Sequence, residues 1–164
     1  VTAATPMSAM HQGALPEESI LDMFLGNIGG CIGETSALLL IIGFAYLLYR
    51  KVITARIPLA YIGTVAILTF LFPQGNDAMS WMLYNVLGGG LFLGAFFMAT
   101  DYVTAPQTCW GRALFGIGAG LLTCLIRFYG SYAEGVSFAI LFMNILTPYL
   151  SKWTKSKPLG GVPA

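Results

Sequence analysis

The sequence predicts an all-α membrane protein of about five transmembrane helices with one short dipping helix, and three observations carry that expectation. Of 164 residues, 57% are hydrophobic and only 9% charged, where a soluble domain has about a quarter charged. The apolar residues gather into stretches approaching membrane length. The basic residues sit almost entirely in connections that one side of a membrane would hold. A backbone in lipid must satisfy its own hydrogen bonds, so such spans are helical.

The chain opens VTAATPMSAMHQGALPEE, with hydroxyls at Thr2, Thr5 and Ser8, no apolar periodicity, and Pro6 against a helix interior. Residues 1–15 therefore form a segment apart from the membrane domain, either slack or with hydroxyls that are used. Pro16, Glu17 and Glu18 suit a first helical turn. Ile20, Leu21, Phe24 and Leu25 then make an apolar face too short to span. The run GNIGGCIGET follows, with Gly26, Gly29, Gly30 and Gly33, and the first long apolar segment begins at once. Two readings stay open for this loop. It is a tight turn between packed helices, or its amides and a helix N-terminus line a covered cavity for an oxygen-rich ligand.

The spans are expected at residues 35–49, 57–72, 81–99, 113–126 and 136–150. Several fall short of the roughly 20 residues needed to cross hydrocarbon, so the helices should extend into their flanks. Gly88, Gly89, Gly90 and Gly94 lie in the third, and Gly116, Gly118 and Gly120 in the fourth. Small residues there let helices pack closely; glycine also permits a helix thinned or broken beside a flat ligand. Asn85, Thr123 and Asn144 are expected to hydrogen-bond between helices.

Arg50, Lys51, Arg56, Arg112, Lys152, Lys155 and Lys157 fall on one side of this arrangement, and Arg127 alone on the other. The positive-inside rule makes the first side cytoplasmic. Residues 1–15 are then extracytoplasmic, 16–150 the five-helix domain and 151–164 a cytoplasmic tail. A start at Val with no signal-like features reads as the later part of a longer polypeptide.

A net charge of +1, with no basic cluster interleaved with aromatics, excludes a nucleic-acid partner. Cys31, Cys109 and Cys124 are widely spaced and accompanied by one histidine, so no zinc, iron–sulfur or bis-histidine haem set is expected, and no metal site. The histidine, His11, reads as a solvated loop residue. Glu34, at a helix N-terminus beside the glycine loop, fits capping as well as a ligand contact. Asp101 follows the third span, where a carboxylate opposes the helix dipole. It calls for a partner such as Arg112 or the Thr104 hydroxyl, or else touches a coupling ion or a flavin.

Three stretches together carry a family resemblance. TAATP resembles the Ser/Thr-Gly-Ala-Thr flavin attachment motif of the RnfD/NqrB membrane subunits, GNIGGCIGETSAL resembles their glycine-rich loop, and MATDYVTAPQT resembles the stretch after a mid-domain helix. The similarity runs over nearly the whole chain, with RnfD the nearer branch. It implies FMN joined through a phosphoester to Thr5, installed from FAD by a flavin transferase, with Thr2 and Ala4 as recognition residues. Ala3 stands where the family pattern has Gly. The cofactor-proximal loop would include Gly29, Gly30, Gly33, Glu34 and Thr35, and Asp101 with Thr104 would be candidates for an ion or cofactor contact.

The resemblance further implies one repeat of a ten-helix fold like that of urea transporters, its N-terminal half lying outside this chain. It implies partnership with the other membrane subunits of an Rnf complex, including a second flavin-carrying subunit. That complex would pass electrons between ferredoxin and NAD, coupled to Na⁺ or H⁺ movement across the inner (plasma) membrane. Riboflavin is a second, non-covalent flavin associated with the family. Two competing readings use the same residues: half of a solute channel with TAATP as slack, and a purely structural membrane subunit. Covalent flavin in denatured protein separates the first reading from both.

Overall fold

The computed structural model describes residues 7, 10, 16, 19–29, 33, 35–74, 77–130 and 134–154. Thr2, Ala4, Thr5, His11, Gly30, Cys31, Glu34, Lys155 and Lys157 lie outside the described residues. Among those described, the regular structure is all helix: α1 (Ile20–Leu25), α2 (Ala37–Tyr49), α3 (Arg56–Leu71), α4 (Ala78–Leu87), α5 (Leu91–Met98), α6 (Cys109–Tyr129) and α7 (Val136–Trp153).

The short α1 begins later than the sequence suggests. Ser19 caps it, its Oγ accepting from the Leu21 amide at 3.4 Å, so Pro16 lies ahead of the helix rather than in its first turn. The face it buries also differs. Met23 is buried, while Leu21 and Leu25 are exposed. Gly26 ends the helix at φ 97°, and a Cβ on it would lie 2.7 Å from Cβ of Ser36, which caps α2 by accepting from the Leu39 amide. Only glycine permits both that backbone turn and that approach.

The long helices match the expected spans, with α6 and α7 extended into their flanks. Helix α3 packs most extensively on α6, and α7 covers another face of α6. Apolar side chains gain little by leaving lipid for protein, so close van der Waals contact has to supply the association. Glycines supply it here. A Cβ on Gly116 would lie 2.7 Å from the Ile57 carbonyl oxygen, and one on Gly120 would lie 2.8 Å from Cβ of Thr64. Gly118, between them, turns instead toward Met143 of α7. Deep in this interface the Tyr61 and Thr123 hydroxyls are 2.6 Å apart, the interhelical bond expected of Thr123.

Around it, Val65, Leu91, Ala95, Phe115, Ala119 and Ile140 complete the main core. The outer surface is apolar as well, with Leu39, Ile42, Leu59, Ile67, Leu141, Phe142 and Ile145 all exposed. Such a surface is consistent with a membrane protein. By length and composition, α6 can cross a membrane alone, and α4 with α5 passes as a pair bent by 57°. The third expected span is thus two helices. Gly88–Gly90 separates them, and α5 finishes in a π-helical turn, Gly94–Met98, whose Phe96 stacks on Phe44 of α2 at 4.2 Å between ring centroids.

Candidate functional site

The break between α4 and α5 is built from three consecutive glycines. Gly88 is extended, and Gly89 and Gly90 have φ of 65° and 62°, a left-handed pair that other residues adopt only at a cost. Ending α4 there leaves carbonyls without the amides of a next turn. Buried carbonyls need a donor.

Arg127, in the last turn of α6, is that donor. Its Nη1 donates to the Asn85 carbonyl at 2.6 Å, and Nη2 donates to the carbonyls of Gly88 and Gly89, each at 3.3 Å. Its Nε donates to the Glu134 carbonyl at 3.2 Å, tying the same group to the α6–α7 connection. The side chain is buried. A planar, permanently charged fork can satisfy several carbonyls at once, where a lysine offers a single point charge. Its positive charge also complements the negative end of the α4 dipole.

Against this turn sit the described residues of the opening segment. Met7 and Met10 are buried in a second apolar cluster with Met23, Trp81 and Tyr84. A Cβ on Gly88 would lie 3.1 Å from Sδ of Met7, and one on Gly89 would lie 3.0 Å from its Cγ. Met7, Met10, Gln74, Trp81, Asn85, Arg127 and Phe128 line a small cavity of about 10 Å³, room for about one water. Trp81, in its wall, has an indole N–H with no partner among the described residues. Gln74 and Phe128 also border a wider cleft of about 510 Å³, otherwise lined by Leu68, Phe72, Pro73, Leu121, Cys124, Leu125 and Tyr129.

At the other end of the bundle the basic connections meet. The Tyr102 hydroxyl donates to the Val52 carbonyl at 2.7 Å, Arg112 donates to the Pro106 carbonyl and to Thr54 Oγ1, and the Thr108 and Thr154 hydroxyls pair. This gathers Arg50, Lys51, Arg56, Arg112 and Lys152 at one end, as the charge pattern implied. Asp101 finds its partner in Thr104, whose Oγ1 donates to Oδ2 at 3.2 Å; Arg112 is engaged elsewhere. Thr54, Asp101 and Arg112 line a shallow cavity of about 50 Å³ there.

The candidate residues from the sequence therefore divide. Asp101 and Thr104 are brought together, but at the Arg112 end of α6. Fifteen residues of helix separate Arg112 from Arg127, about 22 Å of rise. Gly29, Gly33 and Thr35 lie in the α1–α2 connection, where Gly33 has φ 92° and a Cβ on it would meet nothing within 4 Å among the described residues. Its backbone conformation favours glycine there. Asn85 bonds within its own helix, Nδ2 to the Trp81 carbonyl, rather than between helices, and Asn144 Oδ1 has no partner among the described residues. Sequence reasoning misses Arg127, which enters it only as the odd charge in the topology. Two signals could have found it: an ionisable residue inside a span is a functional candidate by default, and three adjacent glycines free carbonyls that need a donor.

Among the described residues, an all-helical build with an apolar exterior, a broken helix and a buried arginine closing the break is consistent with a membrane protein. The chain belongs to the NQR2, RnfD, RnfE family, whose model matches residues 1–160. It is 46% identical over 165 residues to the D-type subunit of the Na⁺-translocating ferredoxin:NAD⁺ oxidoreductase complex of Acetobacterium woodii, covering 98% of this chain and 49% of that protein. It is 44% identical to the corresponding subunit of the proton-translocating ferredoxin:NAD⁺ oxidoreductase complex of Clostridium ljungdahlii, covering 98% and 51%. To that of the ion-translocating oxidoreductase complex of Stutzerimonas stutzeri it is 41% identical, covering 87% and 40%. The chain spans about half the length of the curated relatives it matches.

Proposed function

We propose that this chain is the flavin-bearing half of a membrane subunit in an Rnf-type complex. The complex passes electrons between ferredoxin and NAD, coupled to movement of Na⁺ or H⁺. FMN is carried covalently on Thr5, through a phosphoester installed by a flavin transferase. The helices form one repeat of a ten-helix, urea-transporter-like fold in the inner membrane, with Thr5 on the extracytoplasmic side and the Arg112 end in the cytoplasm. Other membrane subunits of the complex, a second flavin-carrying subunit among them, are its partners.

The observation that carries this reading is the burial of Met7 against the broken helix. Met7, two residues along the chain from Thr5, packs at the Arg127 end of the bundle. Charge patterning supports an extracytoplasmic location for that end, independently of the attachment motif. The residues present fit a linked flavin. Thr5 offers the hydroxyl, and Phe72, Phe128 and Tyr129 would hold a flat aromatic ring in the adjoining cleft.

Bound flavin supplies electron-transfer chemistry that no side chain here provides. The chain's own residues hold and tune it. A tether at Thr5 keeps the effective concentration high whatever the affinity of each redox state. Met7 and Met10 are buried in the apolar cluster, and Leu68, Leu121 and Leu125 give the cleft an apolar wall. Arg127, lining the small cavity beside it, contributes a fixed positive charge whose field reaches farther in this low-dielectric setting than in water.

The test is in-gel fluorescence and intact mass of the denatured subunit from the purified complex. Flavin fluorescence should persist through denaturation, with an added mass of one FMN less water. It should vanish in Thr5→Ala and survive in part in Thr5→Ser. Fluorescence unchanged in Thr5→Ala moves the attachment elsewhere, and a wild-type subunit without covalent flavin removes the redox reading.

A further inference from the structure

We infer that Arg127 is a positioning residue for the amino-terminal segment: by closing the carbonyl end of α4 it holds the double-glycine turn on which Met7 rests. The consequence for the flavin depends on the assignment of Thr5 above, while the clamp itself does not.

Met7 packs against the bare backbone of the turn, where an added Cβ would stand 3.1 Å from its Sδ at Gly88 and 3.0 Å from its Cγ at Gly89. No side chain cushions it, so any shift of that backbone moves its seat. The same turn is held by one guanidinium. Nη2 takes the carbonyls of Gly88 and Gly89 together, Nη1 takes Asn85 from the last turn of α4, and Nε fixes the group to Glu134 on the next connection. Carbonyls converging at the negative end of a helix repel one another without a cation between them. Gly89 leaves no slack either, because a Cβ there would lie 2.6 Å from Nη2.

Removing the guanidinium strands these carbonyls in a buried place, and buried acceptors do not stay unpaired. Glycines at φ 65° and 62° are free to adopt other conformations. The turn then re-pairs with water or with its own helix, and the floor beneath Met7 moves in either case. Lysine keeps the charge but cannot span four acceptors on two connections, so it should restore only part of the seat.

Methionine oxidation reads that seat without touching the flavin. Met7 is 3% exposed and Met79, on α4, is 58% exposed, so their relative rates of sulfoxide formation report how well Met7 is covered. The experiment treats the purified complex with dilute hydrogen peroxide and follows both residues by peptide mass spectrometry, in wild type, Arg127→Lys and Arg127→Ala. Oxidation of Met7 relative to Met79 should rise about tenfold or more in Arg127→Ala, the scale of one lost charge-assisted hydrogen bond, and by less in Arg127→Lys. Millimolar guanidinium should restore protection in the alanine variant. Covalent flavin occupancy or midpoint potential should change in the same order.

Arg127→Ala or, if that variant does not assemble, Arg127→Lys with wild-type protection of Met7 overturns the inference. So does an increase that guanidinium cannot reverse in an assembled alanine variant, since a merely structural loss would not be complemented by the missing group. A wild-type subunit lacking covalent flavin would defeat the functional reading of Thr5 and leave the Met7 measurement standing.

Discussion

Two glycine-rich stretches of this chain meet opposite fates. Gly88, Gly89 and Gly90 break a helix, and Gly116, Gly118 and Gly120 run through the middle of an unbroken one. Spacing is the difference. Alternating with Ile117 and Ala119, the second set keeps side chains enough to be held as a helix, and its bare faces meet α3 and α7. Three adjacent glycines present no side chain over nearly a full turn, so nothing packs that turn into helical shape. A donor for the released carbonyls then decides the matter, and Arg127 is that donor. Glycine content alone therefore says little; the partner that each bare backbone meets determines whether it packs or bends.

The largest effect should come from filling the packing set. In Gly116→Val the new Cβ would stand 2.7 Å from the Ile57 carbonyl and 2.8 Å from Cβ of Ala60. Neither can swing aside, so α3 and α6 must separate, costing about 3 kcal/mol at the upper end of overpacking penalties. The thermal inactivation midpoint of the purified complex should fall by several degrees, or assembly should fail. A wild-type midpoint would mean that α3 and α6 are not apposed as described.

A smaller and more local effect is expected in the bending set. Gly89→Ala puts a Cβ where φ is 65°, costing about 1–2 kcal/mol from the left-handed conformation. The nearest atom is Nη2 of Arg127, held by the carbonyls it serves, so the strain falls on the turn itself. Hydrogen exchange should quicken at residues 85–90 while α6 stays protected, because the disturbance stays within one turn. Equal loss of protection in both regions would erase the distinction between the two glycine sets.

What is legible in the sequence follows the same division. Helix positions are legible because long apolar runs bounded by charge admit few alternatives in lipid, and α2, α3, α6 and α7 lie where the runs predict. The start of α1 is not, since Pro16 and two acidic residues signal a first turn as well as the Ser19 cap that actually forms. Its buried face is hidden too. Six residues make too short a stripe for periodicity to choose Met23 over Leu21 and Leu25. Asp101 with Thr104 is readable, being three residues apart beyond one helix end. The Arg127 clamp is not, because three of its four acceptors are backbone carbonyls about forty residues away, and backbone groups leave no mark on sequence. Asn85 misleads for a related reason: its side chain turns back on its own helix, and its carbonyl makes the contact between helices.

Gly63 supplies the smallest effect and the sharpest control. It lies inside α3, the helix that receives Gly116 and Gly120, yet a Cβ on it would meet nothing within 4 Å. It neither bends the chain nor admits a neighbour among the described residues. The only remaining consequence of glycine is its propensity, about 1 kcal/mol worse than alanine inside a helix in water. Gly63→Ala should therefore raise the inactivation midpoint slightly, by up to that amount, while Gly116→Ala on the facing helix lowers it. A fall in Gly63→Ala would show that a neighbour occupies this face in the assembled complex, which would move Gly63 into the packing set and locate a contact of α3 beyond α6.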